Sequence, residues 1–223
     1  TAAGVATLGV IDSVTLELSN LQRQVLYTVA DIGKNKAKAA CDRLAGLNPQ
    51  IALKHYEKRL LSSNALEIIE DYDVIVDGTD NFPTRYLIND ACVLLDKPFV
   101  YASILQYEGQ AAVFNLRDAS GIFGANYRDI FPEPPSADTV PNCEQAGVLG
   151  VLPGILGCIQ ANEVIKILTG VGEPLRNRLI IFDSASMQQT VIRLIDHGAR
   201  EKITGLVDYE DFCGISAGKN KSL

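Results

Sequence analysis

Residues 76–82 read VDGTDNF, where the apolar run DVIV gives way to two acids, Asp77 and Asp80, separated by Gly78 and Thr79 and followed by Asn81. A carboxylate at the mouth of a buried strand is a hard oxygen ligand suited to Mg²⁺. Alternatively, the same acids close a turn and cap the helix that follows. A second strand, VATLGVID, ends in Asp12, placed either to accept hydrogen bonds from ribose hydroxyls or to cap a nearby helix. Ser19, Asn20, Arg23 and Lys36 then supply two neutral hydrogen-bonding side chains and two cations within eighteen residues. The planar guanidinium fork and the point charge of an ammonium together suit a polyphosphate. The competing assignment is a solvated turn and an exposed helix face, since KNKAK carries three lysines in five residues. Cys143, in VPNCEQAGVLG, precedes a long apolar segment. There the dipole of a following helix would stabilise its thiolate and make it a nucleophile, unless the thiol is structural.

The elements that must position these groups follow from periodicity. VATLGVID reads as a parallel strand, GKNKAKAACDRLAGL as a helix stopped at Asn48-Pro49, and IALKHYEKRL as a strand. SSNALEIIEDY reads as a helix with a serine cap, DVIVDGT as a strand, residues 83–95 as a helix and KPFVYASILQ as a strand. This succession predicts an α/β fold: a Rossmann-like, mostly parallel sheet with helices on both faces. Antiparallel strands join it on the C-terminal side, from YEGQAAVFNLRD and from a hairpin of RLIIFDSA and QQTVIRLID with a Ser-Met turn. Residues 119–145 form a long Pro- and Asp-containing crossover loop. AGVLGVLPGILGCIQANEVIKILTG is apolar nearly all round at helical spacing, which predicts a helix buried on several sides, in part by a dimer interface. Cys41, Cys92 and Cys158 fall inside helical patterns as small buried hydrophobes.

A chain of 223 residues with 47% hydrophobic residues holds enough apolar material for one substantial core and is expected to form a single domain over 1–223. A net charge of −7 argues against general nucleic-acid binding. No apolar run reaches membrane-spanning length and no secretory start is present, so a cytoplasmic protein is expected. The five cysteines include no CxxC pair, which argues against a disulfide framework and a zinc knuckle. The glycine-rich turn that should precede the second strand of a nucleotide-binding unit is missing ahead of residue 5, and the chain reads as lacking that opening strand, loop and helix.

Taken in order, AAGVATLGVID, LSNLQRQVLY, DIGKNKAKAA with LNP, VDGTDNFPTRYLINDAC, YEGQAAVFN, FPEPP, VPNCEQAGVLGVLPGILG and VDYEDFCG resemble the MoeB/ThiF family, bacterial relatives of ubiquitin-activating enzymes. The similarity is greatest to its zinc-less or rhodanese-fused members. The resemblance implies an ATP- and Mg²⁺-dependent homodimeric enzyme that adenylylates the C-terminal glycine of a ubiquitin-like sulfur carrier ending in Gly-Gly. The pathway would be molybdopterin, thiamine or thiolated-tRNA synthesis, with a cysteine desulfurase or rhodanese as sulfur donor. It assigns Asp12 to the ribose, Ser19, Asn20 and Arg23 to the phosphates, and Lys36 to the α- and β-phosphates. Asp80 with Asn81 would serve the Mg²⁺ and adenylation geometry, and Cys143 a later acyl-transfer step.

The chain departs from the family at several points. Asn126-Tyr127-Arg128-Asp129 stand where many relatives carry the first CxxC of a structural zinc site, and the C-terminal part has no second pair, so no zinc is expected. Val14 stands where a second acid is common. The tail, 213–223, resembles the start of a linker toward a rhodanese domain. The alternative function is a catalytically weak scaffold that docks a sulfur carrier without activating it. Retention of Arg23, Lys36 and Asp80 argues for the enzyme.

Overall fold

The computed structural model describes residues 1–135 and 147–214. It forms two compact units, Thr1–Leu60 and the chain from Leu61 onward.

In the first unit, β1 (Thr7–Ile11) pairs in parallel with β2 (Ala52–Tyr56), in register from Thr7 opposite Ala52 to Ile11 opposite Tyr56. A parallel pair needs a crossover, and α1 (Lys36–Leu47) provides it. The helix buries Ala37, Ala40 and Cys41, an i, i+3, i+4 face small enough to lie close on the strands. Asn35 caps it, accepting from the Lys38 amide at 3.0 Å, and it ends before Asn48-Pro49. Residues 13–35 fold back on themselves around buried Leu16, which donates to the Lys34 carbonyl at 2.8 Å and accepts from the Gly33 amide at 2.9 Å. Buried Asp31 fastens this segment. It accepts from Lys34 Nζ at 3.0 Å, the Thr28 amide at 3.0 Å and Arg43 Nη2 at 2.6 Å. Those donors, Lys34 foremost, hold its carboxyl well below the usual carboxylate range.

The second unit contains α2 (Ala65–Glu70), β3 (Ile75–Val76), α3 (Phe82–Leu94), β4 (Phe99–Leu105), β5 (Glu108–Phe114), α4 (Tyr127–Ile130), α5 (Leu152–Thr169), β6 (Arg178–Asp183), β7 (Gln188–Arg193) and α6 (Tyr209–Phe212). Its sheet runs β3-β4-β5-β6-β7. Only β3-β4 is parallel there; from β4 onward each strand runs against its neighbour, as two tight hairpins allow. The fold is thus mixed α/β, with helices on both faces of this sheet. On one face Val100, Ala102, Ala111, Val113, Ile180 and Phe182 pack against Leu152 and Leu156 of α5. The alternate residues Tyr101 and Phe114 meet Tyr127 on the other, with Tyr101 and Tyr127 ring centroids 5.5 Å apart, and Phe99 packs against Tyr101 and Phe114. At Gly109 a Cβ would lie 2.4 Å from Leu156 Cδ2, so the approach of α5 to β5 requires glycine.

Three sequence expectations are corrected here. Among the described residues α5 fully buries Leu152, Leu156, Gln160 and Glu163, with Ile155, Ile159, Val164 and Ile167 half-buried against the core, one broad stripe rather than several sides. Its outer face leaves Val151 and Cys158 exposed, so Cys158 is not a core thiol, whereas Cys41, Cys92 and Cys213 are buried. Burial pushes Cys92 well above the ordinary thiol range and Cys213 up to about 11. The residue before α2 is Asn64 and not a serine; its Oδ1 accepts from the Leu61 amide, while Ser62 Oγ donates to the Val207 carbonyl.

Residues 126–129 tie the C-terminal segment to α3. Arg128 makes a two-pronged pair with buried Asp90, Nε to Oδ1 at 2.8 Å and Nη2 to Oδ2 at 2.7 Å. Its guanidinium packs near the rings of Tyr86 and Phe212, and Tyr209 Oη donates to Asp90 Oδ2 at 2.7 Å. Asp129 Oδ1 accepts from the His197 and Ala199 amides. Arg128→Ala would leave a buried carboxylate without its cation, and we expect urea unfolding to show a loss of about 3–5 kcal/mol. Since these side chains make the tie themselves, EDTA should leave the wild-type unfolding midpoint unchanged.

Candidate functional site

In the first unit the strand end and the helix start are joined directly. Asn35 Nδ2 donates to the Asp12 carbonyl at 2.8 Å, and the Lys36 amide donates to the Val14 carbonyl at 3.0 Å. Tyr27 Oη donates to the Lys36 carbonyl at 3.1 Å. Asp12 caps no helix: its Oδ1 accepts from the Val14 amide at 2.8 Å and closes a turn. Ser19 is exposed, and its carbonyl accepts from Arg23 Nη1 at 3.4 Å, a long contact. Asn20 is buried, with Oδ1 accepting from the Glu17 amide at 3.1 Å, so that oxygen is committed to the local turn.

The cations divide sharply. Lys34 pairs with Asp31, Lys38 with Asp42 and Arg43 with Asp31. Lys36 and Arg23 have no carboxylate partner among the described residues. Lys36 moreover occupies the first position of α1, the positive end of the helix dipole, where a cation is unfavourable and an anion is welcome. One residue passed over in the sequence belongs with them. Gln24 Oε1, next to Arg23, is the buried side-chain atom that finds no hydrogen-bond partner among the described residues. An orphaned acceptor of this kind suits the hydroxyl or hydrated metal of a bound ligand, but nothing in LSNLQRQ distinguishes it beforehand.

In the second unit the two acids of VDGTDNF have opposite environments. Asp77 is 1% exposed and saturated: Oδ2 accepts from Arg85 Nε at 2.8 Å, Oδ1 from the Thr79 amide at 2.7 Å and Thr79 Oγ1 at 2.6 Å. Asp80 is exposed and has no side-chain partner among the described residues. Its free oxygens fit Mg²⁺, which takes one or two carboxylates and keeps several waters. Among the described residues no group of three or more His, Cys, Asp or Glu could hold a metal by itself. Asn81 Oδ1 caps α3, accepting from the Thr84 amide at 3.0 Å. Cys143 lies outside the described residues.

The fold and these groups define a mixed α/β protein whose first helix begins with an uncompensated positive charge suited to an anion. The chain belongs to the ThiF family, which residues 1–202 match. It is 48% identical over 216 residues to the probable adenylyltransferase/sulfurtransferase MoeZ of Mycobacterium tuberculosis, covering 97% of this chain and 55% of that protein. It is 47% identical over 223 residues to the sulfur carrier protein adenylyltransferase of Thermus thermophilus, covering 96% and 81%. With adenylyltransferase and sulfurtransferase MOCS3 of Mus musculus it shares 44% identity, covering 97% and 47%. The chain thus spans about half the length of two of these relatives and most of the third. The crystal structure of E. coli MccB with ATP has the same fold, with a TM-score of 0.73 at 21% identity over 88% of this chain and 58% of that one.

Lys36→Met removes a cation from the helix start, so thermal unfolding should show unchanged or slightly raised stability, by up to about 1 kcal/mol. The same substitution should weaken ATP binding in calorimetric titration by roughly 10- to 100-fold, the value of a charge-assisted hydrogen bond. Unchanged affinity would remove Lys36 from the site.

Proposed function

We propose that this chain is an ATP-dependent adenylyltransferase that activates the C-terminal glycine of a ubiquitin-like sulfur carrier. The observation that carries the proposal is the pair of cations without a carboxylate partner among the described residues, Arg23 and Lys36, in a segment where the neighbouring cations are neutralised. The names of the MoeZ, Thermus and MOCS3 relatives support it. A binding scaffold has no need of such ATP-handling charges.

In this mechanism a carboxylate oxygen of the carrier's terminal glycine attacks the α-phosphorus of ATP. The bond to the bridging oxygen breaks, and pyrophosphate leaves from an acyl-adenylate. Asp12 holds the ribose; Ser19, Asn20 and Arg23 hold phosphate oxygens; Lys36 sits on the α- and β-phosphates. Asp80, with Asn81 beside it, would hold Mg²⁺, which would supply charge neutralisation to phosphate when bound. Positioning and preorganised charge do most of the catalysis. Cys143 acts afterwards: its thiolate attacks the acyl-adenylate carbonyl and expels AMP to leave a thioester, or, already carrying a persulfide sulfur from a cysteine desulfurase or rhodanese donor, it attacks through that outer sulfur and expels AMP to leave an acyl disulfide.

The chain acts as one adenylation domain and as a homodimer. The open groove along α5 lined by exposed Val151 and Cys158 and by Ile155 and Ile159, both half-buried against the core, supports the dimer. No helix of the described residues is long and apolar enough to cross a membrane, and we place the activity in the cytoplasm.

ATP–pyrophosphate exchange with the full-length protein and candidate carriers ending in Gly-Gly tests the proposal. Wild type should exchange with its own carrier, Asp80→Ala should abolish exchange while remaining folded by circular dichroism, and Cys143→Ala should retain it. Absence of exchange with every carrier, while a known relative works in parallel, would leave the scaffold as the function. For the dimer, Ile155→Asp should halve the mass measured by light scattering.

A further inference from the structure

The strand-to-helix turn that carries Asp80 is gripped from three elements, and its central grip is Arg85 of α3. Beyond Nε to Asp77 Oδ2, Arg85 Nη2 donates to the Thr79 carbonyl at 2.8 Å and, at 3.5 Å, to the Ala102 carbonyl of β4. Nη1 lies 3.4 Å from Ser103 Oγ, and the guanidinium lies 5.1 Å from the Tyr101 ring centroid. From the opposite face of the sheet, Gln160 of α5 donates Nε2 to the Asp77 carbonyl at 2.7 Å and to the Val100 carbonyl at 3.2 Å. The Asp77 amide completes the set by donating to the Val100 carbonyl at 2.9 Å.

These contacts converge on the backbone of residues 77–79 and stop one residue short of Asp80. A peptide whose preceding carbonyl and flanking carboxylate are both fixed has little freedom left, so the exposed carboxylate of Asp80 is presented in a narrow range of directions. Stability alone does not call for this arrangement, because a buried ion pair is commonly matched or bettered by apolar residues of similar volume. The distribution of Arg85's donors is the telling feature: one prong neutralises Asp77, and another reaches the carbonyl adjacent to Asp80. Lysine has one ammonium and cannot make both contacts in a fixed plane.

We propose that Arg85, seconded by Gln160, is the positioning residue of the reaction: it acts through the 77–79 turn to orient Asp80. What Asp80 does rests on the adenylylation reading, whereas the orienting contacts do not.

The test uses the full-length protein with Arg85→Lys and Gln160→Leu, the second removing both carbonyl contacts from α5 while keeping the ion pair. Amide hydrogen exchange should show loss of protection across residues 78–81 in both variants. Mn²⁺ titration followed by electron paramagnetic resonance, with a nonhydrolysable ATP analogue present, should show about tenfold weaker Mn²⁺ binding. ATP–pyrophosphate exchange should show kcat lowered by roughly 10- to 100-fold, with the KM for ATP near wild type, as expected of a displaced catalytic group. If Arg85→Lys fails to fold, Gln160→Leu carries the test. Reduced urea stability with wild-type protection at 78–81 and wild-type Mn²⁺ affinity would overturn the proposal and leave Arg85 a purely structural residue. Failure of the adenylylation reading looks different: the wild-type protein itself would then exchange with no carrier, while the hydrogen-exchange effects in the variants would persist.

Discussion

The second unit is organised around a charge that cannot reach water. Asp77 ends β3 with its side chain entirely covered, and the Arg85 guanidinium that neutralises it is 6% exposed. Desolvating both groups is costly, and the pair is tolerable only because every remaining oxygen and nitrogen finds a partner. Those partners come from β4, α3 and the Thr79 turn. Satisfying one buried carboxylate therefore fixes the position of the strand, the helix and the turn that joins them. It also explains why two aspartates three residues apart behave so differently: the protein supplies a cation to the first, and the second keeps its charge facing solvent.

The first unit applies the same logic with the sign reversed. Its helix start gathers Lys34, Lys36 and Lys38, a crowding of positive charge at the end where the helix dipole is already positive. Asp31 and Asp42 absorb the flanking lysines, and Asp31 takes Arg43 as well. Asp31 does this from a buried position, where its hydrogen bonds keep it ionised and close the 13–35 segment. Neutralisation here is selective. It removes the charges around Lys36 and leaves Lys36 itself.

Much of this was legible in the residues, and what was not has physical causes. Strand patterning located β4, β5 and β6, which bury residues in the sheet, and β7, whose six residues are all exposed, from its own alternation and the turn before it. The apolar surround of α5 misled, since hydrophobicity reports what a helix can bury and not what one chain supplies to cover it; among the described residues Leu152, Leu156, Gln160 and Glu163 are fully covered and Ile155, Ile159, Val164 and Ile167 only in part. Spacing could not separate Asp77 from Asp80, because the deciding residue, Arg85, lies a further turn along α3 and its fork points back beneath the strand. Asn20 and Asn81 read as ligand-facing amides, yet each gives its oxygen to a local backbone amide, an alternative short polar side chains always have. Gln24 carried no signal, as an unmet acceptor is defined by its surroundings and not by its type.

The overall charge sharpens the case for the helix start of α1. A chain of net charge −7 repels polyanions at long range, so an anion site must be built from local fields that outweigh the global one. At Lys36 two such fields add, the ammonium and the dipole of the helix behind it, while the Lys36 and Lys38 amides are taken by the Val14 carbonyl and Asn35 Oδ1. Neither field is offset by a carboxylate among the described residues, although acids are plentiful nearby. Removing Lys36 would relieve a repulsion within the protein, so its presence opposes folding stability in a small way. A residue that costs the helix something and has no carboxylate partner among the described residues is the kind of group an anion site employs.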